Sequence, residues 1–253
     1  MALVTGAGGG LGGQIAVSLA AEGVHIAAVD LRRDAADATA RAVRKSGGRA
    51  IALEWDLSEP SVIDDNLDRI EDELGAIDIL VNNTGGPPPT KALGVGLAQW
   101  RQHFNAMVAP VVGISDRVVP GMAERGWGRV ITSASSGVVA PIADLGLSNS
   151  LRSTLVGWSK TLSAEVAAQG VTCNVVVPGR IGTARIRALD EARASQQGRD
   201  LAEVVADSVA AIPVGRYGDP VEYAAAVTFL ASAPASYITG SLIRVDGGLI
   251  PSI

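Results

Sequence analysis

The sequence predicts an α/β fold, a single domain in which helices flank both faces of a doubly wound parallel sheet. Short aliphatic runs alternate with helical stretches along all 253 residues, which implies parallel strands joined by right-handed crossovers. The hydrophobic content is 47% but aromatic residues make up only 4%, a composition typical of parallel strands covered by helices. Neither a linker nor a repeat divides the chain, so one domain is expected over residues 1–253.

The elements can be placed in order from their composition and end signals. The predicted strands share a short aliphatic composition and lie at residues 2–4, 25–30, 50–54, 77–81, 130–132, 171–177 and 242–245. The predicted helices share apolar spacing or capping residues and lie near 15–20, 34–45, 60–74, 100–118, 148–168 and 219–230. Pro110 should interrupt or bend the helix over 100–118. Residues 180–211 are charged and rich in alanine, and a mobile helical flap is expected there.

The most informative stretch is residues 5–12, which read Thr-Gly-Ala-Gly-Gly-Gly-Leu-Gly between the first strand and the first helix. Gly6 can make the sharp turn out of the strand, and Gly10 with Leu11 lets the backbone approach a pyrophosphate. Gly12 allows the helix to pack tightly on the strand, and the helix N-terminus offers free N–H donors to the phosphates. This pattern predicts a dinucleotide site in a Rossmann-type sheet.

The second predicted strand ends in Asp30, followed by Leu31. A carboxylate at this point can accept hydrogen bonds from the adenosine ribose hydroxyls, and its charge disfavours a 2′-phosphate. The prediction is therefore NAD, with NADP as the alternative. Arg32 and Arg33 follow directly, and they either bind a phosphate or lie solvated in the first turn of the next helix.

The composition narrows the range of partners. The net charge of −5 and the lack of a basic run argue against nucleic acid, and neither an apolar span nor a signal peptide indicates a membrane. The single Cys173 cannot form an intramolecular disulfide, so a reducing cytoplasm is the expected location. His25 and His103 are expected to be structural, and no group of His, Cys and acidic residues has the spacing of a metal site.

Taken together, these motifs resemble those of the short-chain dehydrogenase/reductase family, and among its members the 3-oxoacyl-acyl-carrier-protein reductases. The resemblance covers essentially the whole chain. Its markers follow one another in the family's order: residues 5–12, Asp56, 82–85, Asn105, Ser135, 178–183 and the tail 215–248. The resemblance implies a small-molecule alcohol or carbonyl substrate and a homotetramer built through the helices near 100–118 and 148–168 and the final helix and strand.

The resemblance also implies how a dinucleotide would be held. Asp56 and Leu57 would flank the adenine. Asn83, Thr84 and Gly85 would pass beneath the adenosine ribose.

At the nicotinamide end, the resemblance places the turn Pro178-Gly179 ahead of two cofactor-binding residues. Ile181 and Thr183 would hold the nicotinamide amide. Arg152 would bond the nicotinamide ribose.

The catalytic residues are assigned by the same resemblance. Ser135 matches the serine that orients the substrate carbonyl. Asn105 matches the asparagine that kinks its helix and anchors a proton-relay water. The family's Tyr and Lys pair follows on the next helix, and the register set by residues 157–160 and by the step from Ser135 places Ser148 and Arg152 there.

This departure puts the family's usual proton transfer in doubt. A serine hydroxyl is shorter and far less acidic than a phenol, and arginine keeps its proton near neutral pH. A water held by Ser135, Ser148 and Arg152 could fill the gap, or Asp144 could act as the acid. Ser148 could equally be a helix cap and Asp144 a solvated loop residue.

Three functions remain open at this stage. The first is an oxidoreductase that transfers a hydride between a nicotinamide cofactor and an alcohol or carbonyl, with an altered proton-transfer site. The second is a repurposed lyase similar to halohydrin dehalogenases, which also carry an arginine at the Arg152 position. The third is a non-catalytic dinucleotide sensor or partner subunit. Residues 85–89, Gly-Gly-Pro-Pro-Pro, favour a rigid apolar wall beside the substrate.

Overall fold

The computed structural model describes residues 1–252 and contains one seven-stranded sheet in which every strand pair is parallel. The strands share a mostly aliphatic composition and are β1 (Ala2–Val4), β2 (Ile26–Asp30), β3 (Ala50–Glu54), β4 (Ile79–Asn82), β5 (Gly128–Ser133), β6 (Val171–Pro178) and β7 (Leu242–Val245). Their order across the sheet is β3-β2-β1-β4-β5-β6-β7. The predicted fold class, a doubly wound parallel sheet in one α/β domain, is confirmed.

Helices cover both faces of this sheet. They are α1 (Gly10–Ala21), α2 (Arg33–Lys45), α3 (Ile63–Leu74), α4 (Leu97–Met107), α5 (Ala109–Glu124), α6 (Gly146–Val166), α7 (Ala184–Gln197), α8 (Leu201–Ala210) and α9 (Pro220–Ala231). Short 3₁₀ turns lie at Pro60–Val62, Ser136–Val138, Ala167–Gln169 and Ala233–Ala235. The expected flap over residues 180–211 is built from α7 and α8, and its mobility stays a prediction.

The core divides into two main layers because successive side chains of a strand point to opposite faces. Ala2 and Val4 of β1 pack with α1, α2 and α9 in one layer. Leu3, between them, packs in the other layer with residues of α3 and α5 such as Leu67 and Ile114. The inner strands β1, β4, β5 and β6 are therefore buried on both sides, which explains why they read as aliphatic runs rather than as alternating patterns.

The expected interruption near Pro110 is present. The helical stretch divides at Val108, and Pro110 lies in the first turn of α5, where its missing N–H costs no hydrogen bond. Within residues 1–252, Leu97–Glu124 is the one stretch long and apolar enough by composition to cross a membrane. Half of its most apolar window is buried in the domain, so it is weak evidence for a span.

The strand order reverses direction between β1 and β4, which lie side by side with Val4 opposite Val81. The helical connections from these two strands depart toward opposite sides, so a crevice opens at their carboxyl ends. The turn 5–12 and residues 82–85 both follow those ends. The sequence motifs predicted to bind a cofactor therefore meet at one edge of the sheet.

Candidate active site

The glycine turn after β1 is so tight that Gly6 and Gly12 have no room for a Cβ. A Cβ on Gly12 would lie 2.1 Å from the carbonyl oxygen of Gly6, well inside van der Waals contact. Gly6 has φ +55°, and a Cβ there would lie 2.5 Å from the carbonyl oxygen of Asn83. Both positions thus require glycine, and the turn brings the backbone and the N-terminus of α1 to the crevice.

Asn83 joins the ends of β1 and β4. Its Nδ2 donates to the carbonyl oxygens of Thr5 at 3.3 Å and of Gly6 at 3.1 Å. Thr5 returns the contact, because its Oγ1 accepts from the backbone N–H of Asn83 at 2.9 Å. These hydrogen bonds fix the ends of β1 and β4 at the base of the crevice without a ligand.

The carboxylate of Asp30 lies at the rim of the same crevice. Its Oδ2 accepts from the backbone N–H of Gly8 at 2.8 Å, and its Oδ1 accepts from that of Arg32 at 3.1 Å. Each oxygen keeps lone pairs free for ribose hydroxyls. Leu31, beside it, is 62% exposed and offers an apolar surface to an adenine.

The two arginines after Asp30 lie on the solvent side of α2. Arg33 Nε pairs with Asp37 Oδ2 at 3.0 Å, and Arg32 Nη1 lies 4.0 Å from Asp34 Oδ2. Both contacts join neighbours on the same segment, as in solvated first-turn arginines. This arrangement fits the alternative in which these side chains are solvated.

The crevice encloses a cavity of about 380 Å³, here called the cofactor cleft. The predicted residues that line it are Gly6, Asp30, Leu31, Asp56, Leu57, Asn83, Thr84 and Gly85. Asp56 is held by Ser58, whose N–H and hydroxyl donate to its Oδ1 at 2.9 and 2.7 Å. Trp55 lines the cleft as well, although the sequence reading did not single it out.

Two buried polar atoms in the cofactor cleft have no hydrogen-bond partner among the described residues. They are Nε1 of Trp55, whose residue is 2% exposed, and Oγ1 of Thr84, whose residue is 8% exposed. Buried polar groups without partners are rare in proteins and costly. The N–H groups at the N-terminus of α1, a turn without room for a Cβ at Gly6 or Gly12, and the Asp30 carboxylate give the cleft the donors and the acceptor that a dinucleotide requires.

The predicted nicotinamide end lies beyond β6. Gly179 donates its N–H to the carbonyl oxygen of Val245 at 2.9 Å, which ties the Pro178-Gly179 turn to β7. Ile181 is 4% exposed and its side chain packs in the core, so only its backbone can contact a cofactor.

Thr183 caps α7, with Oγ1 accepting from the N–H of Ile186 at 3.4 Å. A Cβ on Gly10 would lie 3.7 Å from the Thr183 methyl. Gly10 of the glycine turn therefore lies next to the N-terminus of α7.

The flap is anchored next to this point. Asp190 of α7 is 1% exposed. Its carboxylate accepts hydrogen bonds from Arg180 Nη1 at 2.6 Å and from the hydroxyl of Tyr217 at 2.8 Å. A second cavity of about 520 Å³ lies beside these groups, lined mostly by apolar atoms from Ile186, Leu201 and Val205 among others. The flap thus carries its own apolar space close to Thr183.

Arg152 reaches from α6 to the carboxyl ends of β4 and β5. Its Nη1 donates to the carbonyl oxygen of Ser133 at 3.2 Å, and its Nη2 donates to those of Thr84 at 3.1 Å and Gly85 at 2.9 Å. Burial is the main cause that lowers the pKa of Arg152 to about 10, so the guanidinium is charged at neutral pH. Its two terminal nitrogens hold the strand ends rather than pointing freely into the cleft.

Ser133, one of these partners, is also bonded from the opposite layer. Its hydroxyl lies 2.9 Å from the hydroxyl of Tyr223 of α9, which donates to the carbonyl oxygen of Val176 at 3.2 Å. Burial raises the pKa of Tyr223 well above its ordinary value, so the phenol stays neutral. Arg152 and Tyr223 therefore both hydrogen-bond Ser133 of β5, one from each helical layer.

Ser135 follows β5 and Ser148 lies in the first turn of α6. The half-buried Ser135 accepts the N–H of Gly137 at its Oγ, 3.2 Å away, which leaves its own proton free to be donated. Ser148 is 8% exposed and is the third residue of α6, so the helix-cap alternative is wrong. Asp144 is exposed with φ +57°, consistent with the solvated-loop alternative.

The structure does not bring Asn105 to the cofactor cleft. Asn105 is exposed on α4, whereas His103, Ala106 and Met107 of that helix line the cleft. The helix break falls after Met107, two residues beyond Asn105, so Met107 holds the position next to the kink. His103 was expected to be structural and lies on a different face of α4 from Asn105, beside the cleft.

Two chemical features of the cleft define its class: a glycine turn at the N-terminus of α1, and an acid at the end of β2. These are the features of a dinucleotide-binding protein of the Rossmann type. A family model described as Enoyl-(Acyl carrier protein) reductase matches residues 6–250. The chain belongs to the short-chain dehydrogenase/reductase family.

Known members of the family match nearly the whole chain. It is 36% identical to the 3-oxoacyl-acyl-carrier-protein reductase of Escherichia coli over 251 residues, covering 98% of this chain and 96% of the relative. The crystal structure of L-sorbose reductase from Gluconobacter frateurii, complexed with NADPH and L-sorbose, superposes with a TM-score of 0.93 at 30% identity. That match covers 100% of this chain and 97% of the other.

An NAD⁺-bound xylitol dehydrogenase superposes with a TM-score of 0.90 at 25% identity, over 98% of this chain and 97% of the other. The structural neighbours thus include proteins with NADPH and with NAD⁺. These matches and the fitted cleft together support the use of NAD(P) as cofactor.

Proposed function

We propose that this protein is an oxidoreductase that interconverts an alcohol and a carbonyl with NAD(H), through a proton-transfer site without the family's usual tyrosine. The observation that carries the proposal is the cofactor cleft, which runs from Gly6 of the glycine turn to Gly86 and bears the Asp30 carboxylate at its ribose end. A chain that had lost nucleotide binding would not be expected to keep a turn without room for a Cβ at Gly6 and Gly12.

The residues around the reacting carbon would act as follows. When bound, the nicotinamide supplies or accepts a hydride. Ser135 would donate its free proton as a hydrogen bond to the substrate oxygen, because its Oγ already accepts from Gly137. Arg152 would stabilise negative charge that develops on that oxygen, since its burial strengthens its field.

The proton itself would come from water. In the direction of reduction, the carbonyl carbon gains the hydride with its electron pair and the oxygen gains one proton. The resemblance assigns Ser148 to the tyrosine position and Arg152 to the lysine position, and Met107 lies next to the helix kink. None of these three side chains releases a proton readily near neutral pH. Ser135 and Ser148 would hold the water instead.

The test is a turnover screen with purified protein, NADH or NADPH, and a panel of ketones and secondary alcohols. We expect turnover that falls at least tenfold in Ser135→Ala, the size of a lost transition-state hydrogen bond. Ser136→Ala is the matched control, because Ser136 is the adjacent half-buried serine and its change should leave the rate unchanged. Silence across the panel with both cofactors would contradict the proposal.

A second candidate is a non-catalytic dinucleotide-binding subunit. It is favoured by the placement of the three tyrosines: Tyr223 is buried, Tyr217 is bonded to Asp190, and Tyr237 is 100% exposed. The double variant Ser148→Tyr with Arg152→Lys separates the two candidates. NADH binding without turnover in both forms would favour the subunit, whereas turnover gained only in the variant would show that the acid alone is missing.

Two further expectations belong to this proposal. We propose a homotetramer, which is supported by the exposed apolar side chains of Val221 and Phe229 on α9, 53% and 50% exposed. A cytoplasmic location is proposed from the single buried thiol of Cys173.

A further inference from the structure

Two arginines converge on the loop that follows β4. Gly86 of this loop is exposed, and a Cβ placed on it would lie 3.1 Å from Nη2 of Arg185 and 3.7 Å from Nη2 of Arg152. Arg152 comes from α6 and Arg185 from the first turn of α7. The two guanidinium groups thus approach one solvent-accessible point from different elements.

No acidic partner balances these charges within the part of the chain that the structure describes. Neither arginine lies within 4 Å of a carboxylate there, whereas Arg180, Arg199 and Arg216 each do. Arg185 also adds to the lowering of the pKa of Arg152, as expected for two neighbouring like charges. Cations held together without a counter-ion favour the binding of an anion between them.

Arg185 has donors available for such an anion. Its Nη2 donates to the carbonyl oxygen of Pro87 at 2.9 Å, which fixes the side chain and leaves Nε and Nη1 uncommitted. A guanidinium presents these donors in a planar fork that matches a carboxylate. Arg185 also lies in the first turn of the 14-residue helix α7, whose N-terminus favours negative charge.

Arg152 is also bonded to the start of this loop. Its Nη2 donates to the carbonyl oxygens of Thr84 at 3.1 Å and of Gly85 at 2.9 Å. The Pro87-Pro88-Pro89 segment was expected to form an apolar wall, yet Arg185 is bonded to its first residue. The substrate side of the loop is therefore cationic at one end.

We propose that Arg185, with Arg152 behind it, binds a carboxylate group of the substrate, so that the natural substrate is an oxo or hydroxy acid. This inference rests on the proposed function, because only an oxidoreductase would have such a substrate. A pyrophosphate is the less fitting anion, because the glycine turn that would bind it faces Thr183, while Arg185 is directed to Pro87. The carboxylate would sit beside Gly86.

The test measures binding and turnover separately, on the full chain saturated with NADH. Pyruvate and levulinate, each compared with its methyl ester, are titrated by ligand-observed NMR. We expect wild type to bind at least one acid about tenfold or more tightly than its ester, the size of a charge-assisted hydrogen bond. Arg185→Gln should abolish that preference. Arg193→Gln removes the same charge from an exposed position farther along α7 and should preserve it.

Three results would overturn the carboxylate site. They are equal affinity for acid and ester in wild type, a preference that survives Arg185→Gln, and weaker NADH binding in Arg185→Gln with the preference unchanged. The last result would assign the arginine to the cofactor phosphates. Failure of the proposed function looks different, since the acid preference would then remain intact while no acid oxidises NADH.

Discussion

Replacement of Asp30 by serine tests the cofactor assignment most directly. Both carboxylate oxygens already accept one backbone N–H each, so the ribose hydroxyls of NADH would bind their remaining lone pairs. Each hydrogen bond to a charged acceptor contributes about 1.5–3 kcal/mol, and serine replaces only part of this. We therefore expect Asp30→Ser to weaken NADH by about 2 kcal/mol, or about 30-fold in the dissociation constant.

NADPH should respond in the opposite direction. A 2′-phosphate about 4 Å from the Asp30 carboxylate is repelled by about 1–4 kcal/mol for each pair of unit charges, depending on the local dielectric. Removal of the carboxylate relieves this repulsion. The ratio of the NADPH and NADH dissociation constants should therefore shift toward NADPH by about 100-fold or more.

Fluorescence titration of each variant with NADH and with NADPH measures the ratio. Asp34→Ser is the matched control, because Asp34 is an exposed acid of the same segment outside the cofactor cleft, and its ratio should match wild type. Equal binding of the two nucleotides by wild type would refute the assignment of Asp30. An unchanged ratio in Asp30→Ser would do the same and direct attention to Arg32 and Arg33.

Three further predictions follow from single positions. Gly12→Ala should abolish NADH binding in the titration, because its Cβ would lie 2.1 Å from a backbone oxygen. Gly157→Ala is the control, since a Cβ there meets open space on α6; it should leave NADH binding intact and stabilise the helix by about 0.5–1 kcal/mol. The hydrogen bond from Arg216 is the main cause that lowers the pKa of Glu222 to about 2. The carboxylate therefore stabilises the folded protein fully above its ordinary pKa, and this stabilisation is lost as the pH falls toward 2. Urea midpoints of Glu222→Gln and wild type should therefore differ at neutral pH and converge in acid. Burial raises the pKa of Cys173 to about 12, and a thiol reagent should modify it only as fast as the domain unfolds; rapid labelling of folded protein would contradict this.

Much of the fold follows from local pattern. Short aliphatic runs mark the strands even at the sheet edges, where each run contains one charged residue, so the runs at 50–54 and 242–245 coincide with β3 and β7 residue for residue. Gly6 and Asn83 were each predicted to bind the cofactor, and they meet because each follows the end of a strand and neighbouring parallel strands end at one edge. Such residues can be placed from sequence, since strand order fixes their proximity.

Residues on long helices were placed less well. Asn105 and Met107 are only two positions apart, but on a helix that spacing separates opposite faces, and only Met107 lines the cofactor cleft. The convergence of Arg185 on Arg152 could not be predicted either. It depends on how α7 folds back over the loop after β4, and local spacing carries no information on that contact.

The hydrogen bonds of Tyr223 and Arg152 to Ser133 have a mechanical consequence. In most doubly wound proteins the sheet insulates one helical layer from the other, since its interior is aliphatic. Here a line of polar contacts runs from Tyr223 of α9 through the last residue of β5 to the guanidinium of Arg152 on α6. A molecule that docks against the exposed side of α9 and shifts that helix thus has a physical route to the catalytic side of the sheet.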